Sequence, residues 1–390
     1  MQADPEHLEP LLDALRAALD GSGPAVRPST QISSSAPGRV GRQGAAERID
    51  VPDDVALVVE TSGSTGVPRA VMLSAAALRA SIAATETRLG GPAQWLLTLP
   101  PVHVAGLQVL ARSVLAGTDP VVAAPGGFRP DAFAADAARL TGPRRYVSLV
   151  PTQLYRLLDD GGTGLAALAT FDAVLLGGAA TSSALLTRAA AAGVTVTTTY
   201  GMSETCGGCV YDGAPLDGVS VRRGGDGRVL IAGPVLATGY LGRPDLDAQA
   251  FLDLDGGRWF RTSDVGEVDR DLRGADRLTV LGRVDDMLVT GGAKVSPAAV
   301  ERLVAELPGV GEVCVVGVPD AEWGQAITAV LVAANGARLP SLESVRAHVT
   351  RSLGAPAAPR RLVVVDRLPV RGPGKTDRRA VAELAAARPS

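Results

Sequence analysis

The segment Thr61-Ser62-Gly63-Ser64-Thr65-Gly66-Val67-Pro68-Arg69 follows directly on the apolar run 55–60. The run predicts a short buried strand, and the segment after it a loop. Four hydroxyls and two glycines fall within six residues. Glycines let backbone approach an anion closely, while hydroxyls and exposed N–H groups donate to phosphate oxygens. Arg69 closes the segment with a fixed positive charge. A Ser/Gly surface turn is the alternative, but such turns seldom carry so many hydroxyls straight after a buried strand. No Gly-Lys-Ser/Thr ends the segment, so it is not a P-loop.

With this segment an alternation begins. Ser74 caps a helix reaching residue 89. Strands are expected at 95–99, 121–124, 146–150, 173–176 and 194–199, and helices at 104–115, 131–140, 152–159 and 182–192. Apolar strands alternating with helices predict an α/β fold with a doubly wound parallel sheet. Before it, residues 6–20 read as an amphipathic helix and 22–48 as a mobile surface loop rich in Ser, Gly, Pro and Arg. After residue 213 the pattern turns to short β segments (228–233, 258–269, 277–282), a small β subdomain. From residue 286 it becomes a compact α+β unit: strand 286–290, helix 297–306, strands 311–318 and 327–334, helix 342–353, strand 361–366 and helix 376–386. The expected division is a large domain over 1–284 and a small one over 285–390.

The chain has 390 residues, 46% hydrophobic and 20% charged, with net charge -3. That balance is globular and rules out disorder as the main state. It offers no basic field for nucleic acid, and aromatics at 3% supply no base-stacking platform. Three cysteines (Cys206, Cys209, Cys314) are too few for a disulfide framework. No apolar run reaches the roughly 18–20 residues of a membrane span. The acidic start lacks the regions of a signal peptide, so a cytoplasmic location is expected. Of 38 basic residues only Lys294 and Lys375 are lysine. In a chain drifting this far toward arginine, either lysine is a candidate for a place where guanidinium cannot substitute.

Four further segments are candidates for chemistry. Tyr200-Gly201-Met202-Ser203-Glu204-Thr205 stands at the end of a predicted parallel strand, where such sheets bind ligands. Tyr200 suits a planar base, Ser203 a phosphate, and Glu204 a Mg²⁺ ion, which prefers one or two carboxylates with phosphates. Asp264, in Arg261-Thr262-Ser263-Asp264-Val265-Gly266, suits ribose hydroxyls. Gly282-Arg283-Val284-Asp285-Asp286 lies at the expected boundary. Pro369-Val370-Arg371-Gly372-Pro373-Gly374-Lys375-Thr376 presents one lysine on a Gly/Pro-rich loop. Two decoys fall away. Gly374-Lys375-Thr376 would need glycine at Pro369 to end a P-loop. Ser203 lacks the closing glycine of a nucleophile elbow. Cys206-Gly207-Gly208-Cys209 has metal or redox spacing, but without a second Cys/His pair packing is the favoured reading.

In their joint order, from about Val55 to Arg379, these segments resemble the adenylate-forming superfamily of acyl-CoA synthetases, firefly luciferase and peptide-synthetase adenylation domains. Within it, Pro101-Val102-His103-Val104-Ala105-Gly106-Leu107, Gly177-Gly178-Ala179-Ala180 and Thr199-Tyr200-Gly201-Met202-Ser203-Glu204-Thr205-Cys206 look most like the o-succinylbenzoate–CoA ligases of menaquinone biosynthesis. The resemblance implies substrates ATP, CoA and o-succinylbenzoate, with Mg²⁺. It implies that Thr61, Ser62, Gly63, Ser64, Thr65 and Gly66 embrace the β/γ-phosphates. Gly177, Gly178, Ala179, Ala180 and Tyr200 would hold the adenine, with Thr199, Gly201 and Met202 also in the cofactor site, Ser203 at the α-phosphate and Glu204 at the metal. Asp264 and Arg283 would fix the ribose. Lys375 would join carboxylate to α-phosphate, His103 would border the acyl pocket, and residues 286–390 would pivot at Asp285. Two departures stand out: the phosphate loop comes early in the chain, and Arg69 stands where relatives usually have Lys. Another aryl- or acyl-CoA ligase, a stand-alone adenylating enzyme and a non-catalytic nucleotide-binding relative are the alternatives. A homo-oligomer is left open.

Overall fold

The computed structural model describes residues 5–28, 51–61, 69–124, 126–334, 337–371 and 375–388, with backbone alone for 5–7, 371 and 375. A seven-stranded sheet holds, in spatial order, Val121–Val122, Gln94–Leu97, Arg145–Leu149, Ala173–Leu176, Val196–Met202, Gly207–Tyr211 and Ala214–Pro215. The first five strands run parallel and the last two antiparallel.

The alternation of side chains across a strand explains why this sheet is covered on both faces. Trp95, Leu97, Tyr146, Ala173 and Leu175 point into one apolar core, which also takes Ala77, Leu78 and Ile82 of helix Ala75–Leu89 and Leu107 and Leu110 of helix Val104–Ala116. Leu96, Val147, Leu149, Val174 and Leu176 point into the other. That core is closed by Phe133, Leu154, Leu157, Leu168 and Leu185 from the four helices between Pro130 and Ala191. These strands are apolar on both faces because both faces are buried. The expected doubly wound α/β sheet is therefore present.

The first expected strand is not part of it. Val55–Thr61 forms an antiparallel hairpin with Arg69–Ser74, and Gly239–Tyr240 adds to the far side. The sequence reading assigned residues 70–73, between the loop 61–69 and the cap Ser74, to no element. They pair with the first strand instead, register Thr61↔Arg69 through Val59↔Val71, and Ser74 then caps the helix by accepting from Ala77 N at 3.1 Å. Much of the expected mobile stretch, residues 29–48, lies outside the described residues. Its start is docked: Val26 N donates to Ala56 O and Val58 N to Val26 O, both at 2.9 Å.

The β subdomain is a five-stranded antiparallel sheet built around the long strand Gly257–Arg270, which pairs with Arg228–Ala232, Phe251–Leu254 and Asp276–Arg283. Residues 310–387 build a three-stranded sheet (Val310–Asp320, Gly324–Ala333, Arg361–Val364) with helices on both faces. Pro297–Ala305 and Leu342–Leu353 share one apolar core with it, and Arg378–Ala387 the other. Among the described residues, no apolar cluster mixes residues before Leu278 with residues after Val295.

Candidate active site

The site is built at the carboxyl edge of the parallel sheet. Strand Val196–Met202 does not stop at Thr199, as the sequence suggested. After pairing in parallel with Ala173–Leu176 through Thr198, it pairs antiparallel with Gly207–Tyr211, matching Thr199↔Tyr211, Tyr200↔Val210 and Gly201↔Gly208. Tyr200, Gly201 and Met202 thus stand on a strand rather than a loop. The reversal is tight. Ser203–Thr205 makes one 3₁₀ turn, and Cys206 adopts a left-handed conformation (φ 53°). The Thr205 hydroxyl accepts from Met202 N at 3.0 Å and donates to Gly207 O at 2.7 Å, tying the turn together. Gly201 is obligatory here, since a Cβ would sit 2.0 Å from the Gly207 carbonyl oxygen. Ser203 is buried by this turn and Glu204 half-buried.

Tyr200 reaches across to the β subdomain, where its hydroxyl donates to Asp264 Oδ2 at 2.7 Å. Arg283 is the cross-strand neighbour of Asp264, and its Nη1 lies 3.4 Å from Oδ1. The same guanidinium forks onto Asp285, with Nε to Oδ1 at 3.0 Å and Nη2 to Oδ2 at 2.8 Å. Tyr200, Asp264, Arg283 and Asp285 are therefore one connected chain. Burial raises the Asp264 pKa, opposed by the Tyr200 hydrogen bond and the Arg283 charge. Burial, then the Asp264 charge, holds Tyr200 well above the ordinary phenol range. Thus Tyr200 stays a neutral donor. Burial would lower Arg283, but Asp285 and Asp264 outweigh it and the net shift is upward.

A second cluster lies on the other side of the Ser203 turn. Tyr240 donates from its hydroxyl to Glu204 Oε1 at 2.8 Å, and Ala237 N donates to the Glu204 carbonyl at 2.9 Å. The Arg69 guanidinium carbon lies 5.8 Å from the Tyr240 ring centroid. Local strand pairing explains the meeting. Gly239–Tyr240 pairs with Met72 and Val71, so Tyr240 and Arg69 stand on adjacent strands. Thr61 and Arg69 are register partners, and Thr61 Oγ1 donates to Arg69 O at 3.3 Å. The two feet of the hydroxyl-rich segment are thereby held together, and Arg69 sits on the Tyr240 ring that holds Glu204. Ser62, Gly63, Ser64, Thr65 and Gly66 themselves lie outside the described residues. Tyr240 was missed in the sequence because it stands 36 residues from Glu204 in a segment with no recognisable motif to mark it.

Gly177, Gly178, Ala179 and Ala180 follow strand Ala173–Leu176 at the same carboxyl edge, with 178–180 exposed. Gly177 packs against the next strand, where a Cβ would fall 2.4 Å from Thr199 Oγ1, and Gly178 has φ 83°. His103 is the N-cap of helix Val104–Ala116 and accepts from Leu107 N at 3.0 Å. That helix and helix Ala75–Leu89 lie under the Ser203 turn: Gln108 Nε2 from the first and Ser81 Oγ from the second both donate to the Cys206 carbonyl. Cys206 and Cys209 are free and fully buried. Burial pushes Cys209 up to about 12 and Cys206 higher still. Thiols so protonated are poor nucleophiles and metal ligands, so packing explains them. No metal-holding cluster of three or more His, Cys, Asp or Glu occurs among the described residues, and no described helix is long and apolar enough to cross a membrane.

Lys375 stands on a small hairpin, Val370–Arg371 against Lys375–Thr376, with Arg371↔Lys375 in register. Of the expected site residues, the fold joins Tyr200, Asp264, Arg283 and Asp285 in one hydrogen-bonded chain, and gathers Arg69 and Glu204 around Tyr240, with Thr61 paired to Arg69. Asp264 and Glu204 are each held by a tyrosine hydroxyl and have an arginine nearby. Such a pair of fixed acid–tyrosine units, beside exposed backbone at a sheet edge, suits a nucleotide whose sugar and phosphates need separate anchors.

Comparison with known proteins agrees with this chemistry. The family model "AMP-binding enzyme" matches residues 10–223, and "AMP-binding enzyme C-terminal domain" matches residues 299–375. A protein of Mycobacterium tuberculosis named probable 2-succinylbenzoate–CoA ligase is 47% identical over 373 residues, covering 95% of this chain and 94% of that protein. A 2-succinylbenzoate–CoA ligase of Geobacillus is 30% identical, covering 81% of this chain and 66% of its own length. Among solved structures, ATP-bound MatB of Rhodopseudomonas palustris superposes with a TM-score of 0.70 at 29% identity, covering 86% of this chain and 69% of that one. The o-succinylbenzoate CoA synthetase (MenE) of Bacillus subtilis, in complex with the acyl-adenylate intermediate OSB-AMP, gives 0.66 at 27% identity, with 84% and 69% covered.

Proposed function

The chain belongs to the AMP-binding enzyme family, and from that premise we propose that it is an o-succinylbenzoate–CoA ligase working through an acyl-adenylate in menaquinone biosynthesis. At the coarser level it is an adenylate-forming acyl-CoA ligase. The observation that carries the finer reading is the 47% identity to the M. tuberculosis protein, sustained over nearly the whole of both chains.

In this reading a substrate carboxylate oxygen bonds to the α-phosphorus of ATP while the bond to pyrophosphate breaks. The CoA sulfur then bonds to the acyl carbon, and AMP leaves. The carboxylate is a weak nucleophile approaching an anion, so the first step needs its charges neutralised and its partners aligned. The hydroxyl segment 61–66 holds the β- and γ-phosphates, with Arg69 as the cation at its foot. Gly177–Ala180 and Tyr200 hold the adenine. Ser203 donates to the α-phosphate. Asp264, kept in place by Tyr200 and Arg283, accepts from the ribose hydroxyls. His103 borders the acyl group.

The donor set fits Mg²⁺, since Tyr240 occupies one oxygen of Glu204 and leaves the other for an ion that takes one or two carboxylates plus phosphates. Bound there, Mg²⁺ would supply charge neutralisation at the phosphates. Lys375 completes the first step. A compact ammonium with three rotatable donors bridges carboxylate and α-phosphate in a space too crowded for a planar fork. Because the thiol must later reach the same carbon, residues 286–390 act as a lid turning about Asp285, against a large domain ending at residue 284. The reading places the enzyme in the cytoplasm.

Pyrophosphate release, measured with a panel of carboxylates and with or without CoA, tests this proposal. o-Succinylbenzoate should give the highest rate, and benzoate and fatty acids little, because a second carboxylate left unpaired costs binding. Comparable rates with benzoate reject the substrate. No pyrophosphate release with any carboxylate rejects the reaction.

A further inference from the structure

Three residues beyond Lys375, Arg378 begins helix Arg378–Ala387 and turns back into the small domain. It grips Glu301 with both arms, Nη1 to Oε1 and Nη2 to Oε2, each at 2.7 Å. Its Nη1 also donates to the Val315 carbonyl at 2.9 Å, and its Nε lies 4.0 Å from Asp286 Oδ2. Glu301 Oε1 accepts from Val315 N at 2.7 Å, so the carboxylate is itself locked to the sheet. One guanidinium therefore joins four parts of the chain: the root of the lysine hairpin, helix Pro297–Ala305, strand Val310–Asp320, and the residue directly after the proposed pivot.

The hairpin root is tied from its other side as well. Asp377 N donates to Pro369 O at 2.9 Å, and the Asp377 side chain caps the helix by accepting from Ala380 N at 3.2 Å. Burial alone would lower the Arg378 pKa, but Glu301 reverses the shift, so the guanidinium stays charged. Planar, bidentate geometry of this kind fixes direction as well as distance. A two-residue hairpin strand has little packing of its own to hold a lysine at a defined point. What it has is this clamp at its base.

On the reading that Lys375 serves adenylation, we propose that Arg378, locked by Glu301, is a positioning residue for Lys375. It makes pivot and lysine hairpin move as one body, so that rotation at Asp285 delivers the ammonium to a fixed place. Loss of the clamp should damage adenylation and leave thioester formation, which does not use the lysine, nearly intact.

The test separates the two half-reactions in the full-length enzyme. Arg378→Lys keeps the charge and loses the fork. Acyl-adenylate formation should fall at least about tenfold in kcat with KM for ATP little changed, since small misplacements of a catalytic group are that costly. Thioester formation from supplied acyl-adenylate should stay within about twofold. The double variant Arg378→Met with Glu301→Gln removes both charges together and keeps an oxygen for the Val315 amide. It should retain thermal stability, because a neutral pair leaves no orphaned charge, and should show the same selective loss. Equal loss of both half-reactions, or loss tracking stability alone, overturns the positioning role. Lys375→Ala, measured alongside, guards the premise. If it spares adenylation, the assignment of Lys375 fails. If it abolishes adenylation while the Arg378 variants behave as wild type, the clamp alone is refuted.

Discussion

Tyr240→Phe removes one oxygen and little else. The Tyr240 ring is 3% exposed and packs 5.9 Å from Phe251 and 5.8 Å from the Arg69 guanidinium, contacts that phenylalanine keeps. What is lost is the donor at 2.8 Å from Glu204 Oε1. A hydrogen bond to an ionised acceptor contributes about 1.5–3 kcal/mol, and the partial exposure of Glu204 argues for the lower end. About 1.5 kcal/mol corresponds to roughly tenfold in an equilibrium constant. If the hydroxyl holds Glu204 where the metal needs it, the loss appears as a half-saturating Mg²⁺ concentration raised about tenfold in a pyrophosphate-release titration, with only a small fall in thermal midpoint. Burial, then the Glu204 charge, raises the Tyr240 pKa above the ordinary phenol range. The hydroxyl therefore keeps its proton through the alkaline side, and the defect should not change with pH there. An unaltered Mg²⁺ titration, accompanied by a stability loss of the full amount, would refute the reasoning and leave Tyr240 a packing residue.

Three further outcomes are expected. As pH falls, Asp264 takes up its proton above the ordinary carboxylate range, because burial raises its pKa. KM for ATP should therefore climb on the acid side earlier than a normal carboxylate predicts, and Asp264→Asn should flatten that limb. A carboxyl raised in the folded state binds its proton more tightly there. Its own contribution to stability thus grows as pH falls through that pKa, and a loss of stability there in wild type but not in Asp264→Asn would contradict the sign. Gly201→Ala should lower the denaturant midpoint by the equivalent of about 1–3 kcal/mol, since the new Cβ meets the Gly207 carbonyl oxygen at 2.0 Å; an unchanged midpoint would disprove the crossing. Asp285→Pro fixes φ near −65°, and single-turnover kinetics should show adenylation kept and thioester formation largely lost. Wild-type rates for both would move the pivot elsewhere.

The doubly wound sheet was legible because its strands are apolar on both faces and its helices begin at readable caps such as Ser74. Patterning is local, and these signals lie within a few residues of one another. The second strand of the first hairpin was missed for the same reason. Residues 70–73 are short and apolar, and only their partner strand distinguishes them from the lead into a helix. Strand Val196–Met202 ran past its expected end because Gly201 permits a close crossing with Gly207–Gly208, a condition set by the neighbouring strand.

By itself the sequence determined the chemistry on offer: a hydroxyl-rich segment behind a strand, Glu204 and Asp264 in marked loops, Arg283 at a boundary, and a rare lysine on a Gly/Pro loop. Which groups meet was decided only by the tertiary structure. Tyr200 reaches Asp264 across 64 positions, Tyr240 reaches Glu204 across 36, and Arg378 reaches Glu301 across 77. A hydrogen bond depends on distances of about 3 Å, and no spacing along the chain encodes such a distance between residues on different elements. The sheets must first pack, and packing is fixed by the sum of all buried surfaces rather than by the residues that later touch.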